Sequence, residues 1–106
     1  PPLEVVELTD PKEMVEVYFK NAPIMILVDE CESGMRHYDS NGKVLVGYVD
    51  RADKGLFQIN TRYHLKKSKE LGYDIFTPMG NIKYADYLFR TQGLKPWDAS
   101  KPCWSG

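Results

Sequence analysis

The residues "ECESG", positions 30 to 34, place a glutamate where its charge is costly. The apolar run "IMILV" precedes them, and its pattern predicts a largely buried helix that begins at Ala22 or Pro23 and ends at Gly34. Glu32 then lies in the last turn, where the partial negative charge of the helix end raises the pKa of a carboxyl. Shielding by apolar neighbours would raise the pKa further. A carboxyl that keeps its proton near neutral pH can serve as a general acid.

The cysteines and histidines indicate less specific chemistry. Cys31 and Cys103 are too far apart for a CxxC redox motif, which leaves a long-range disulfide or two unrelated thiols. We favour the disulfide in an exported domain. His37 and His64 have no evident carboxylate partner, so we expect them at the surface or behind the reacting groups. Because these four residues lack zinc-ligand spacing, we expect no metal, and we also expect no cofactor.

The first third of the chain predicts helices, and the middle predicts a small β region. Thr9 or Asp10 can cap a first helix that ends near Asn21. From residue 38 to residue 60, turn residues and β-formers predict a small β-ribbon with irregular loops. One face of the first helix is predicted to be apolar, through Met14, Val15, Tyr18 and Phe19.

The last third returns to helical patterns. "RYHLKKSKELG" predicts a helix that ends at Gly72, and "TPMGNIKYADYLFRTQG" predicts another that ends at Gly93. The sequence therefore predicts a single domain over residues 1–106, with an α+β, predominantly helical fold. A small β-wing against a helical body makes a cleft, and Glu32 would stand at one wall of it.

Charge and hydropathy exclude some classes of protein. The net charge of -1 combines an acidic segment before residue 41 with a basic segment after it, and the pI of about 6.1 argues against nucleic acid as a partner. No apolar run approaches the roughly 18 residues that span a bilayer. The sequence begins with Pro1, which leaves room for an export signal, a membrane tether or a flanking domain before it.

Several motifs together resemble the lysozyme-like superfamily, which includes the lytic transglycosylases and the chicken-type and goose-type lysozymes. "ESG" followed by "GLFQIN" is similar to the Glu-Ser and Gly-Leu-Met-Gln signatures, and "DKGLFQINTRY" resembles the Asp-x-Gly-Ile-x-Gln-Ile-Asn-x-Arg stretch of chicken-type chains. "GKVLVGY" is similar to a goose-type segment, "NIKYADYL" to the Asn-Ile helix of lytic transglycosylases, and "GLKPWDASKPC" to the Gly-x-x-x-Trp segment of chicken-type chains. The resemblance covers Pro23 to Trp104.

The resemblance implies a lysozyme-like fold and cleavage of the β-1,4 bond between N-acetylmuramic acid and N-acetylglucosamine in peptidoglycan. It gives Glu32 the position of the catalytic acid and Asp53 that of a second carboxylate, with Asp50 and Asp39 as alternatives. A second carboxylate favours hydrolysis. A single glutamate, as in most lytic transglycosylases, favours closure of an anhydro ring, so the product stays open.

The same resemblance implies a set of substrate-binding residues. In "GLFQIN" the alternation of a strand places Leu56, Gln58 and Asn60 on one face and Phe57 with Ile59 on the other. Two amides on one face could read sugar hydroxyls and N-acetyl groups. A tryptophan at position 97 would shield the catalytic glutamate from water and offer a stacking face. The expected substrate-binding residues are Gln58, Asn60, Gly55, Trp97 and Tyr84.

These inferences predict a secreted, periplasmic or envelope-associated glycosidase that acts on peptidoglycan glycan strands as a monomer. Two hypotheses from other classes stay open. One is a peptidoglycan-binding or assembly module that kept the cleft but lost turnover. The other is a thiol-dependent enzyme that uses Cys31 and His37.

Overall fold

Residues 9–106, the part of the chain that the computed structural model describes, form an α+β arrangement that is mostly helical. The first eight residues of the expected domain lie outside this part. Strand β1 (Asp53–Lys54) pairs antiparallel with β2 (Ile59–Asn60). The helices are α1 (Pro11–Tyr18), α2 (Pro23–Ser33), α3 (Thr61–Glu70), α4 (Pro78–Gln92), a 3-10 helix (Lys95–Ser100) and α5 (Lys101–Trp104). The predicted fold class is therefore confirmed at the level of α+β, predominantly helical.

The helices begin and end at residues that suit those positions. Asp10 caps α1 by accepting a hydrogen bond from the Lys12 amide at 3.1 Å. Helix α2 ends at Gly34, which has a φ of 66° and whose N–H donates to the Glu30 carbonyl at 2.9 Å. The predicted ends of α2 and α4 are confirmed. Helix α1 ends at Tyr18, earlier than predicted, because Phe19 leaves the helical conformation and turns its ring into the core.

The β-wing, residues 37–60, is mostly loop and turn. Its two-residue strands are supplemented by single bridges between Tyr38 and Val44 and between Val46 and Lys54. Residues 55–58 form a turn between β1 and β2, so the predicted alternation along "GLFQIN" is wrong. Leu56 and Phe57 are both fully buried, which a strand with one open face would not allow.

Phe57 inserts the wing into the helical core. Its ring packs edge to face against Phe19 at 5.6 Å and against Trp97 at 6.0 Å between centroids. Phe19 follows α1, and Trp97 belongs to the 3-10 helix, so the wing turn contacts both ends of the helical body. The turn is thus held by the same core that the helices share; its largest fully buried apolar residues are Tyr84, Phe57, Met25, Leu56, Ile75, Ile82 and Leu88.

A disulfide between Cys31 and Cys103 ties α2 to α5 across a sequence separation of 72 residues. The predicted disulfide is therefore present, and the thiol hypothesis is wrong, since the described residues contain no free cysteine. A structural disulfide is consistent with an extracytoplasmic location. None of the helices within residues 9–106 is long and apolar enough to cross a membrane.

We predict that replacing both cysteines, Cys31→Ala with Cys103→Ala, lowers the free energy of unfolding by about 4 kcal/mol. The reason is that opening so long a loop restores the entropy of the unfolded chain. Urea denaturation of the double variant and of the oxidised wild-type protein measures the difference. A loss below about 1 kcal/mol would contradict the expectation.

Candidate active site

Glu32 lies where two cavities meet. The wing-side cavity, about 640 Å³, is bounded by the end of α2 and by the wing. The helix-side cavity, about 300 Å³, is bounded by the wing, α3, α4 and the 3-10 helix. Glu32 and Gln58 line both of them. Together the two cavities form a cleft that runs past Glu32 on either side.

The surroundings of Glu32 favour its protonated form. Burial raises the pKa of the Glu32 carboxyl, the nearby charge of Asp53 raises it further, and a hydrogen bond from Ser100 opposes the rise. The Ser100 hydroxyl lies 2.5 Å from Glu32 Oε2. Burial is the largest cause of the raised pKa, as the expected shielding by apolar neighbours implied. The carboxyl has the property that a general acid requires.

Asp53 shares the helix-side cavity with Glu32, whereas Asp50 does not line either cavity. Burial raises the pKa of Asp53, while a hydrogen bond from Asn60 lowers it. Asp50 is engaged elsewhere: it forms an ion pair with Arg62 and accepts a hydrogen bond from the Ala52 amide at 2.9 Å. That amide bond is the main reason why the pKa of Asp50 is lowered. Asp53 is therefore the carboxylate placed to face Glu32.

Asn60 orients this pair of aspartates. Its amide Nδ2 donates to Asp53 Oδ1 at 2.9 Å and to Asp50 Oδ2 at 3.0 Å. Its Oδ1 accepts from the Arg62 amide at 3.0 Å and so caps α3. Because both amide hydrogens are engaged, Asn60 holds Asp53 in place, and its donors are not free to bind a sugar as the sequence suggested.

Gln58 presents its side chain to the cleft from an unusual backbone position. Its φ is 52°, and its Nε2 donates to the Gly55 carbonyl at 2.9 Å. Gly47 makes room beside it: a Cβ at Gly47 would lie 2.3 Å from the Asp50 carbonyl and 3.1 Å from Gln58 Oε1. Sequence reasoning missed Gly47, although a glycine that interrupts the β-forming run "VLVGYV" indicates a close approach.

Gly55 supports the site from behind. Its φ is 70°, and a Cβ there would lie 2.4 Å from His37 Cε1 and 2.7 Å from Asn81 Nδ2. It lines neither cavity. Gly55 was expected to bind substrate, but the groups that approach it closely are these two buried side chains.

Those two side chains bind the backbone of the turn. His37 is 1% exposed; its Nδ1 accepts from the Leu56 amide at 3.2 Å and its Nε2 donates to the Phe76 carbonyl at 2.8 Å. Burial lowers the pKa of His37, in keeping with this neutral tautomer. His37 was expected either at the surface or behind the site, and it lies behind the site. The surface alternative is wrong because both ring nitrogens satisfy backbone groups.

Asn81 acts in the same way from α4. Its Oδ1 accepts from the Phe57 amide at 2.8 Å, and its Nδ2 donates to the carbonyls of Lys54 and Ile75, both at 2.9 Å. The side chain is fully buried, with all three bonds to backbone groups outside its own helix. Asn81 thus fixes the turn that carries Gln58, a role that its motif did not specify.

Two aromatic residues predicted to bind substrate are largely enclosed. Trp97 lines the helix-side cavity but is only 3% exposed, and its Nε1 donates to the Phe57 carbonyl at 3.1 Å. Its ring closes the cavity floor and offers little area for sugar stacking. Tyr84 is 1% exposed and lies behind His64, with its hydroxyl 2.8 Å from His64 Nδ1. His64 lines the helix-side cavity together with Glu32, so it lies at the cleft and not behind it as expected.

Open aromatic rings are found instead at Tyr63 and Tyr48. Tyr63 borders the helix-side cavity and is 77% exposed, whereas Tyr48 borders the wing-side cavity and is fully exposed. Exposed rings beside a polar cleft suit the apolar faces of sugars. The sequence signal for both was an aromatic residue next to glycine or arginine in a loop or first helical turn, a signal too weak to select them.

Comparisons with models of protein families, with curated proteins and with solved structures found no match to this chain. Residues 9–106 also contain no group of three or more His, Cys, Asp and Glu side chains arranged to hold a metal ion. Any proposal for the function therefore has to rest on the geometry and chemistry of the cleft.

A buried carboxyl lies one helical turn before Glu32. Asp29 is fully buried, its Oδ1 lies 3.4 Å from the Ser33 hydroxyl, and its Oδ2 has no hydrogen-bond partner. Burial raises the pKa of Asp29 to about 8, and the charges of Glu32 and Glu30 act in the same direction. The spacing from Met25 to Asp29 to Ser33 puts all three on one buried stripe, which was the sequence signal for it.

We predict that Asp29→Asn makes the protein progressively more stable than wild type as pH rises from 5 to 8. The folded wild type keeps the Asp29 proton in this range while the unfolded chain releases it, so wild-type stability falls with rising pH. The neutral amide removes this dependence, and the advantage grows by about 1.4 kcal/mol per pH unit. Urea denaturation at several pH values measures it.

The control is Glu16→Gln, which removes an exposed carboxylate from α1. Its stability should follow the wild-type pH curve. Parallel curves for Asp29→Asn and wild type would contradict the prediction.

Proposed function

We propose that this protein is a lysozyme-like glycosidase that cleaves the β-1,4 bond between N-acetylmuramic acid and N-acetylglucosamine in peptidoglycan. One observation carries the proposal: a shielded carboxyl with a raised pKa, Glu32, lies midway along a cleft and shares it with a second carboxylate, Asp53. A long polymer needs binding space on both sides of the broken bond, and the two cavities offer it. The sequence motifs around Glu32 and Gln58 add the resemblance to the superfamily.

The first step is proton transfer from Glu32 to the glycosidic oxygen. The bond between that oxygen and C1 of the muramoyl residue breaks, and its electron pair stays on the oxygen as the N-acetylglucosamine hydroxyl forms. The muramoyl C1 is left with oxocarbenium-ion character. Glu32, now ionised, serves as the base for the second step.

The second step has two outcomes. Water can add to C1 and give its proton to Glu32, which completes hydrolysis; the muramoyl 6-hydroxyl can add instead, with the same proton transfer, which forms the anhydro ring. Asp53 supports hydrolysis because a carboxylate near the sugar can stabilise the cationic centre. Its bond from Asn60 holds it in that position. We therefore favour the hydrolytic product.

The charges along the cleft suggest how the strand lies in it. Arg36 and Arg51 line the wing-side cavity, whereas the helix-side cavity has no lysine or arginine among its lining residues. In peptidoglycan the muramoyl residue carries the peptide stem with its carboxylates, and N-acetylglucosamine is neutral. The wing-side cavity therefore suits the stem-bearing side of the strand.

We predict that Glu32→Gln lowers the rate of muropeptide release from purified sacculi by about a thousandfold, since it removes the general acid. The matched control is Glu30→Gln, an exposed position two residues earlier, which should keep wild-type activity. Both variants should bind insoluble sacculi as wild type does. Retained activity in Glu32→Gln would refute the proposal.

Mass analysis of the released muropeptides distinguishes the products. Reducing ends indicate hydrolysis, and anhydro ends indicate transglycosylation. Retention on sacculi without release of fragments by the wild-type protein would favour the binding module and reject the enzyme.

We predict that the double variant Arg36→Gln with Arg51→Gln raises the KM for stem-bearing strands by about tenfold. Each exposed charge pair contributes up to about 1 kcal/mol, so two pairs account for such a change. Strands freed of their peptides by an amidase keep only the lactyl carboxylate of each muramoyl residue, so the double variant should raise the KM for them by less. The control, Lys66→Gln with Lys83→Gln, removes two exposed charges that line neither cavity. An equal rise in KM for both strands would contradict the assignment.

A further inference from the structure

The hydroxyl of Ser100 lies at the centre of a small hydrogen-bond network beside Glu32. Ser100 Oγ is 2.5 Å from Glu32 Oε2, 3.1 Å from the Trp97 carbonyl and 3.1 Å from Trp104 Nε1. Trp104 Nε1 is also 3.2 Å from the Trp97 carbonyl. Ser100 was not among the residues that the motifs singled out.

Counting hydrogens assigns the direction of these bonds. An indole N–H only donates, so Ser100 Oγ accepts from Trp104. The serine has one hydrogen and can donate it either to Glu32 Oε2 or to the Trp97 carbonyl. The distance to Glu32 is the shorter of the two, so the hydrogen belongs on that side. The single Trp104 N–H is shared between Ser100 Oγ and the Trp97 carbonyl.

The other carboxylate oxygen faces the cleft. Within residues 9–106, Oε1 of Glu32 accepts no hydrogen bond, and it is not among the buried polar atoms without a partner, so solvent reaches it. Glu32 also lines both cavities. The two oxygens therefore have different surroundings: Oε2 faces the tail and Oε1 faces the place of the glycosidic oxygen.

We propose that Ser100 is a positioning residue for Glu32, through a chain of donors that runs from Trp104 Nε1 to Ser100 Oγ and on to Glu32 Oε2. Because Ser100 donates to Oε2, that oxygen remains an acceptor and the acidic proton resides on Oε1, next to the substrate. The inference rests on the proposed function, since the proton on Oε1 is the one that the glycosidic oxygen receives.

The same arrangement serves both halves of the reaction. After Oε1 has given up its proton, Ser100 still donates to Oε2 and now stabilises a full carboxylate, so no group has to reorient. This bond lowers the pKa of Glu32 and limits the rise that burial and Asp53 cause. The other charged groups along the cleft are Arg36 and Arg51, both on the wing side. His64 lies on the helix side, where burial lowers its pKa and favours the neutral form.

The disulfide holds together Glu32 and Trp104, the two ends of this chain of hydrogen-bond donors. Cys31 precedes Glu32 on α2, and Cys103 precedes Trp104 on α5, so a covalent bond joins the neighbours of the first and last members. Trp104 is mostly buried, which limits the movement of its indole. The position of Ser100 relative to Glu32 is therefore fixed by both a covalent link and core packing.

The test is a titration of Glu32 in protein labelled with 13C at the glutamate carboxyl carbon, assigned with Glu32→Gln. In Ser100→Ala we expect the Glu32 pKa to rise, because the carboxylate loses its donor. Ser100→Thr, which restores a hydroxyl, should return the titration to wild type. Ser105→Ala, which removes an exposed serine from the same tail, should not change it.

Activity gives the second readout. In Ser100→Ala the kcat for sacculus digestion should fall about tenfold with KM unchanged, which is the rate equivalent of one lost hydrogen bond. The alkaline limb of the pH–rate profile should shift to higher pH, because the Glu32 pKa rises. Trp104→Phe keeps the bulk of the ring but removes its donor, and it should raise the pKa of Glu32 by less than Ser100→Ala does. This variant provides a test if Ser100→Ala folds poorly.

The outcomes separate the two proposals. A Glu32 titration that is the same in wild type and Ser100→Ala overturns the role of Ser100, whether or not the protein cleaves glycan. A rise that threonine reverses supports that role, and if Glu32→Gln digests sacculi normally, the glycosidase fails while the hydrogen-bond assignment stands.

Discussion

The cleft depends on how one short turn of the wing is attached to the helical body. Residues 55–58 bring Gln58 opposite Glu32, and two buried side chains hold the turn by its backbone. His37 accepts from the Leu56 amide, while Asn81 binds the Phe57 amide and the Lys54 carbonyl. Buried backbone groups without partners are costly, so these side chains make the position of the turn specific. Phe57 adds apolar packing, but it is the amide and imidazole bonds that set the orientation.

Asp29, Glu32 and Asp53, one buried and two partly buried, show how surroundings change the properties of a carboxyl. Asp29 lies among apolar side chains with one oxygen unpartnered, so it stays protonated and contributes no charge to the cleft at neutral pH. Glu32 is shielded but receives a hydroxyl donor, which limits the rise in its pKa. Asp53 is more open; burial raises its pKa, and the bond from the Asn60 amide opposes that rise. These graded surroundings fit the proposed glycosidase better than three solvated acids would.

Local features of the sequence determine some of this arrangement and not the rest. The apolar run before Glu32 and the glycine at position 34 predict the helix and its end, because capping and periodicity are local properties. The turn at residues 55–58 was mistaken for a strand, since its Leu56 and Phe57 amides bond to His37 and Asn81, which are distant in sequence. The burial of His37 has the same origin, because its Nε2 partner is the Phe76 carbonyl. Ser100 could not be found from spacing, because its closeness to Glu32 arises only when the disulfide and the core bring the tail back to α2.

The disulfide also has a consequence for how the protein withstands proteolytic cleavage. The covalent ring that it closes contains the end of α2, the whole wing, α3, α4 and most of the tail. A single cut anywhere in the exposed wing loops opens the backbone but leaves both fragments joined through sulfur. Their effective concentration stays high, so a nicked molecule can keep the two walls of its cleft together. The exposed wing loops thus lie within the ring that the disulfide closes, so a cut there does not separate the fragments.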